Sequence, residues 1–181
     1  MAEVIIENII AYTHIADKLN IEEIAEKLPE FKFNPDEFLG LTLKIENPNA
    51  AVLLLPDGKA ICTGAKKIED AENAVKRTIE KLKGIEKKIK ENPKLETQNI
   101  VASTDLKKEL NILLISKELP LENIDYEPEK FPGLIYRMDD IGASFLIFNS
   151  GKIICTGVKT IEEVTNAIKM MEEKLISLGI I

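Results

Sequence analysis

The 181-residue chain has no tryptophan, one histidine and two cysteines. With His14 as its only imidazole it offers no nucleophile–histidine set. No GxxxxGK phosphate loop occurs and no carboxylate cluster has metal-ligand spacing, so neither an enzyme nor a metal or cofactor site is expected. Cys62 and Cys155 lie in apolar, strand-like runs without a CxxC pair, which reads as two buried thiols rather than redox or zinc chemistry. Apolar runs such as Ala50 to Leu55 fall far short of the roughly 20 residues needed to cross a bilayer, so no membrane is expected among the partners. The first ten residues carry Glu3 and Glu7 and no basic segment, which excludes the pattern of a secretory signal and implies a cytoplasmic protein. Positive charge is also in deficit. Lys and Arg number 24 against 31 Asp and Glu, a net charge of −7, so the chain does not coat nucleic acid by bulk charge, although a local basic surface stays open. At 45% hydrophobic residues it has the material for one medium domain or two small halves.

The sequence is written twice. Asn8-Ile9-Ile10-Ala11 returns as Asn99-Ile100-Val101-Ala102, an offset of 91, and Ile61-Cys62-Thr63-Gly64 returns as Ile154-Cys155-Thr156-Gly157, an offset of 93. Aligned this way the halves share 28 identities over 66 positions, too many for chance, and two extra residues near Leu121 account for the change of offset. The connection from Lys83 to Pro93 is short and lacks a flexible Pro/Gly/Ser-rich stretch, so repeats at 1–91 and 92–181 are expected to form one continuous pseudo-symmetric domain.

Each half opens with an alternating β-branched run, Val4 to Ala11 and Thr97 to Ala102, that predicts a strand. A short helix follows in each. Asn20 with Glu23 resembles a capping box for one through Leu28, and Leu110 to Leu119 is its counterpart, with Pro29 and Pro120 closing them. A turn-rich segment then leads to strands ending in Lys59 to Gly64 and Lys152 to Gly157, joined to their predecessors at Pro56-Asp57-Gly58 and Asn149-Ser150-Gly151. Both halves close with a long amphipathic helix, striped by Ile68, Ala71, Val75, Ile79, Leu82 and by Ile161, Val164, Ile168, Met171, Leu175, Leu178. The expected order is β-α-β-β-β-β-α twice, an α+β fold with one long antiparallel sheet and its helices on one side.

That arrangement leaves a sheet face without helices, and strand alternation says what it holds. Lys59, Ile61 and Thr63 share a face, opposite Ala60 and Cys62; Lys152, Ile154 and Thr156 repeat the pattern. Asn8 with Ile10, Asn99 with Val101, Leu53 with Leu55 and Leu146 with Phe148 join them. The face is apolar at its middle, dotted with Asn and Thr, and edged by Lys44, Lys59, Lys66, Arg137, Lys152 and Lys159. Such a surface suits a DNA minor groove: apolar side chains against sugars and base edges, Asn and Thr on the acceptors of A·T pairs, cations on phosphates, and Phe38, Phe131 and Phe148 as wedges between base steps. A core, or a face covered by a second subunit, would explain the same residues.

At this point the chain resembles the TATA-box-binding protein family in its archaeal form. The residues that carry the resemblance are QNIVAST (98–104), YEPEKFPGLIYRM (126–138) and FLIFNSGKIICTGVK (145–159) in the second half, with ICTGAK (61–66) and IEDAENAV (68–75) in the first. It covers nearly the whole chain in two copies. The resemblance implies a saddle whose concave sheet binds and bends the minor groove of A/T-rich double-stranded promoter DNA, with helices on the convex side. Wedging and bending are known properties of that family rather than readings of this composition. It further implies recruitment of transcription factor B and RNA polymerase, association with the nucleoid, and no catalysis. By position the central asparagines are Asn8 and Asn99, and the threonines at the groove floor are Thr63 and Thr156. The apolar surface is Ile10, Leu53, Ile61, Val101, Leu146 and Ile154, with the six cations above on phosphate. The wedges are Phe38 with Leu55, and Phe131, followed by Pro132, with Phe148.

Departures from the family concentrate in the first half. Leu55 stands where a phenylalanine is usual, Asp57 replaces a small polar residue near the DNA backbone, and Leu39 and Lys44 also differ. A leucine wedges with less area and an aspartate repels phosphate, so the first-half end is expected to grip DNA less well. Glu127 and Glu129, before Phe131, lie where the family meets transcription factor B, and Asn34 and Asp36 take that place in the first half. A homodimer hiding the open face in the absence of DNA is a further expectation. The alternative reading is a divergent paralogue that keeps protein partners and has weakened DNA binding.

Overall fold

The computed structural model describes residues 2–181. The first repeat runs β1 (Ile5–His14), α1 (Ile21–Lys27), β2 (Lys32–Phe33), β3 (Leu41–Ile45), β4 (Ala50–Leu54), β5 (Lys59–Ala65) and α2 (Ile68–Leu82). The second runs β6 (Glu96–Asp105), α3 (Ile112–Glu118), β7 (Ile124–Asp125), β8 (Leu134–Met138), β9 (Ala143–Ile147), β10 (Lys152–Val158) and α4 (Ile161–Ser177), with 3-10 turns at Leu121–Asn123 and Asp139–Ile141. The α+β class and the repeated β-α-β-β-β-β-α order are as the sequence predicts. Strands β1 and β6 run past the predicted ends at Ala11 and Ala102, because Thr13 and His14 pair with Ala60 and Lys59, and Thr104 and Asp105 with Ile153 and Lys152. His14 therefore ends a strand rather than lying on a loop.

The chain packs as two compact units. One is Asn8–Gln98; the other is Asn99–Ile181 together with the residues up to Glu7. Both boundaries fall at the paired asparagines, 91 positions apart. In the first-repeat unit the antiparallel strand order is β2-β3-β4-β5-β1. Val52, Leu54, Ala60 and Cys62 form one core with Ala71, Ala74, Val75, Ile79 and Leu82 of α2, so the helix covers the cysteine side of the sheet. In the other unit the order is β6-β10-β9-β8-β7, and Phe145, Ile147, Ile153 and Cys155 are buried as are Val164, Ala167, Ile168, Met171 and Leu175 of α4.

The long helices differ from the expected stripes at their first residues. Ile68 and Ile161, at the first position of each helix, remain 38% and 46% exposed, while Ala74, Thr78, Ala167 and Glu172 complete the buried stripe. Two of these are polar and both are satisfied: Thr78 Oγ1 donates to the Ala74 carbonyl at 2.9 Å, and Glu172 Oε1 accepts the Ala2 N–H at 2.9 Å. The predicted capping box of α1 is half formed. Asn20 Oδ1 accepts the Glu23 N–H at 3.3 Å, but the Asn20 N–H goes to Glu86 Oε1, while the Glu23 carboxylate accepts from Asn20 Nδ2 and pairs with Lys27. The complete box opens α4, where Thr160 and Glu163 cap each other's backbone.

The β4–β5 and β9–β10 hairpins are closed by Gly58 and Gly151 with φ of +81° and +89°. A Cβ at Gly58 would lie 1.9 Å from the Ala16 carbonyl oxygen, and at Gly151 2.2 Å from that of Lys108. The loops after β1 and β6 thus press directly on these turns, with Ile15 N–H donating to the Gly58 carbonyl and Leu106 N–H to that of Gly151. Gly58→Ala should cost about 2–4 kcal/mol, from left-handed strain plus a backbone collision, read as a lower urea midpoint. Burial also pushes the Cys62 thiol up to about 11 and the Cys155 thiol up to about 12. Both thiols should ignore a disulfide reagent at pH 8 until urea unfolds the chain. Their contribution to stability should be intact below the unfolded thiol pKa, near 9, and lost as pH rises toward about 11 for Cys62 and about 12 for Cys155, since the unfolded chain ionises first.

Candidate nucleic-acid interface

Alternation around the buried positions fixes a second face in each unit. In the first-repeat unit Ile61 pairs with Tyr12 on one side and Leu53 on the other, and Leu53 pairs with Thr42. A second row runs Thr63, Ala51, Lys44. In the other unit the rows are Ser103, Ile154, Leu146, Ile135 and Thr156, Ser144, Arg137. Most of their neighbours along the strands are buried, the exposed Gly64 and Gly157 aside, whereas nearly all of these side chains remain half-exposed or exposed, with Asn8, Ile10, Asn99 and Val101 also half-exposed. Ser103 is the exception, buried and donating from Oγ to Glu7 Oε1 at 2.6 Å.

The asparagines do not stand alone. Asn8 Nδ2 donates to Thr63 Oγ1 at 3.1 Å, and its Oδ1 accepts the Gly64 N–H at 2.6 Å. Asn99 repeats this with Thr156 Oγ1 at 2.9 Å and the Gly157 N–H at 2.8 Å. The glycine N–H is free to do so because the β1–β5 and β6–β10 ladders shift register at this point. A backbone donor on the amide oxygen fixes the orientation of the amide, so its NH2 end faces the threonine. One amide hydrogen is engaged there, and the other is presented by each asparagine as a donor of fixed position.

The aromatic residues gather at the far ends of the faces. Phe131 and Phe148 stand edge to face, centroids 5.9 Å apart at 68°. Gly133 makes this approach possible, since a Cβ there would lie 2.7 Å from the Phe131 ring and 3.0 Å from that of Phe148. Phe38 likewise sits over Gly40, at 2.5 Å from where a Cβ would be. Each loop is pinned by one carbonyl: that of Glu127 accepts the Lys130 and Phe131 N–H groups, and that of Asn34 accepts those of Glu37 and Phe38. Leu55 follows β4 directly and is half-exposed, next to the turn whose Asp57 Oδ1 accepts the Lys59 N–H at 3.1 Å. Ser150 holds the equivalent Lys152 N–H at 3.4 Å, so Asp57 keeps a turn contact that serine makes in the other copy.

The cations lie at the strand ends. Lys44, Lys66, Arg137, Lys152 and Lys159 are exposed. Lys59 is positioned, its Nζ 4.3 Å above the Tyr12 ring. The Tyr12 hydroxyl donates to Glu96 Oε2 at 2.9 Å, and this bond and the carboxylate charge hold the phenol above its ordinary range. Glu127 and Glu129 are exposed on the loop before Phe131, Glu127 paired with Lys130, and Pro132 is exposed beside them. Sequence reasoning missed Tyr12, Thr42, Ala51, Ser103, Ile135 and Ser144. The same period-two count, carried along every strand and across the repeat offset, would have found them.

The open faces combine apolar rows, fixed donors, paired aromatics and edge cations, and among the described residues no helix is long and apolar enough to cross a membrane. Comparison with known proteins agrees with these features. The model of the family described as transcription factor TFIID, or TATA-binding protein, matches residues 3–85 and 94–178, one stretch in each repeat. The TATA-box-binding protein of Archaeoglobus fulgidus is 42% identical over 175 residues, covering 97% of this chain and 96% of that one. That of Thermoplasma acidophilum is 41% identical over 179 residues, covering 99% and 97%. Among solved structures, the Methanococcus jannaschii TBP matches with a TM-score of 0.84 at 41% identity, over 97% of this chain and 99% of that one. The family is one of transcription factors, not enzymes, and on the match of both repeats and of full-length relatives this chain belongs to the TATA-box-binding protein family.

Proposed function

We propose that the open faces of the two units act together as one continuous saddle, which binds the minor groove of A/T-rich promoter DNA, bends it and nucleates transcription initiation. The observation that carries this reading is the duplicated Asn–Thr–Gly unit, Asn8-Thr63-Gly64 and Asn99-Thr156-Gly157, set within apolar rows. A fixed amide donor meets the acceptors that every A·T pair offers in the minor groove, adenine N3 and thymine O2. A G·C pair places its own N2 amino donor there, and donor against donor is unfavourable. Ile10, Leu53, Ile61, Val101, Leu146 and Ile154 lie against the sugars and base edges. Phe38 with Leu55, and Phe131 and Pro132 with Phe148, open the end steps, as the family is known to do. Lys44, Lys59, Lys66, Arg137, Lys152 and Lys159 take the phosphates, which reconciles DNA binding with an acidic chain.

Glu127 and Glu129 are the proposed contacts for transcription factor B, which would bring RNA polymerase to the complex. The counterpart loop carries Asn34 and Asp36, so only one end presents this surface. The protein would then work at the nucleoid, and a second copy would cover the apolar face when DNA is absent. The departures at Leu55 and Asp57 favour the second reading, a paralogue working mainly through protein partners.

The deciding experiment is equilibrium binding to an A/T-rich duplex and a G/C-rich control over a salt series, with donor and acceptor dyes on the DNA ends. Selective binding with a bend is expected, with log K falling against log salt at a slope of up to about −5 for six phosphate contacts. Folded protein that neither selects nor bends would sink the minor-groove reading and promote the paralogue. Leu55→Phe should tighten binding by enlarging the first-repeat wedge. Asn99→Asp keeps an acceptor for the Gly157 N–H but replaces the donor with a carboxylate, and should weaken binding to the A/T duplex about 10- to 100-fold, measured by the same titration.

A further inference from the structure

The two wedge loops share a design and differ in their filling. In the first repeat the Gly40 N–H donates to the Phe38 carbonyl at 2.9 Å, a three-residue turn with Leu39 at its apex. The Leu39 side chain is 71% exposed. The second repeat has Pro132 at the matching position, next to Phe131, whose ring meets that of Phe148. In the first repeat Leu55 takes the place of the second ring, leaving Phe38 as the one aromatic of its loop. Gly40 restrains the turn from below, because a Cβ there would meet both the Phe38 ring and the Leu54 carbonyl oxygen at 2.5 Å. Phe38 is thus seated on the sheet, while the residue after it is thrown outward by a short hydrogen-bonded turn. Nothing in the turn itself calls for an apolar side chain, and Phe38, like Leu55 at the position that matches Phe148, is itself half-exposed.

From this geometry we infer that Leu39 is a DNA-contacting wedge residue, so that Phe38, Leu39 and Leu55 together open the base step at the first-repeat end. The inference rests on the minor-groove reading above. Leucine is among the side chains that insert between base steps, and its branched end supplies apolar area where the second ring is missing. Proline at the matching second-repeat position is more compact, and two opposed phenylalanines leave it less to do. The first-repeat end then departs from the second in the composition of its wedge, three smaller parts instead of two rings, and the position Leu55 alone leaves underfilled is compensated from the neighbouring loop.

The test is a double-mutant cycle in the full chain, Leu39→Ala and Leu55→Phe singly and together. Each is titrated on an A/T-rich duplex with 2-aminopurine at the end steps to report unstacking. Leu39→Ala should weaken binding about 5- to 10-fold and lower the unstacking signal, the loss expected when most of a buried leucine side chain is removed. Its thermal midpoint should not move, because the side chain is exposed in the free protein. In the Leu55→Phe background the loss should shrink to below about twofold. Leu39→Ala that binds and unstacks like the parent chain overturns the inference while leaving the minor-groove reading standing, and so does an equal loss in both backgrounds, which marks a contact independent of the wedge. A parent chain that ignores the A/T duplex overturns both.

Discussion

Burial of one sheet face, and of one only, is the constraint on which the rest of the structure depends. In each unit a single long helix, α2 or α4, covers the face that carries Cys62 or Cys155. Strand alternation then commits every intervening side chain to the opposite face, whatever its chemistry. The register cannot slip by one residue without bringing Lys59 and Thr63 into the core. The apolar open rows are therefore held in place by the packing behind them, and among the described residues they stay half-exposed or exposed, Ser103 aside.

Duplication supplies two such faces, and divergence has acted on them unevenly. The Asn–Thr–Gly unit is kept in both copies to within a few tenths of an ångström, register shift included. The ends differ: Phe148 against Leu55, Pro132 against Leu39, Ser150 against Asp57, and Ser103 against Tyr12. Where the substitution touches the backbone its function is conserved, as Asp57 and Ser150 show by holding the same lysine N–H. Where it touches only the open face, it changes what the face offers to a partner. The two repeats thus present different surfaces on the same local fold.

Charge follows the same separation. The chain is acidic in sum, but Lys44, Lys59, Lys66, Lys152, Lys159 and Arg137 stand at or next to strand ends beside the open rows, while carboxylates such as Glu163, Glu23, Glu30 and Asp105 are engaged in helix caps and ion pairs. Lys59 is further restrained by the Tyr12 ring, itself tied to Glu96. A positioned cation loses less freedom on meeting a phosphate than a fully mobile one.

The order of elements, the repeat, the hairpin glycines and the division of residues between two faces were all legible in the sequence, because each depends on local periodicity or on a turn that demands a particular residue. Asn8, Thr63 and their second copies could be named from alternation and resemblance alone. Their hydrogen bonds could not, since they span more than fifty residues and depend on a register shift that no local pattern encodes. The same holds for Glu86 taking the capping role read for Glu23, for Tyr12 under Lys59, and for the space that Gly40 and Gly133 leave to the phenyl rings. Sequence by itself determined which side chains share a face, because the strand period is fixed by backbone geometry. Tertiary structure alone decided which of them touch, because contacts across strands and loops are set by how the buried face packs.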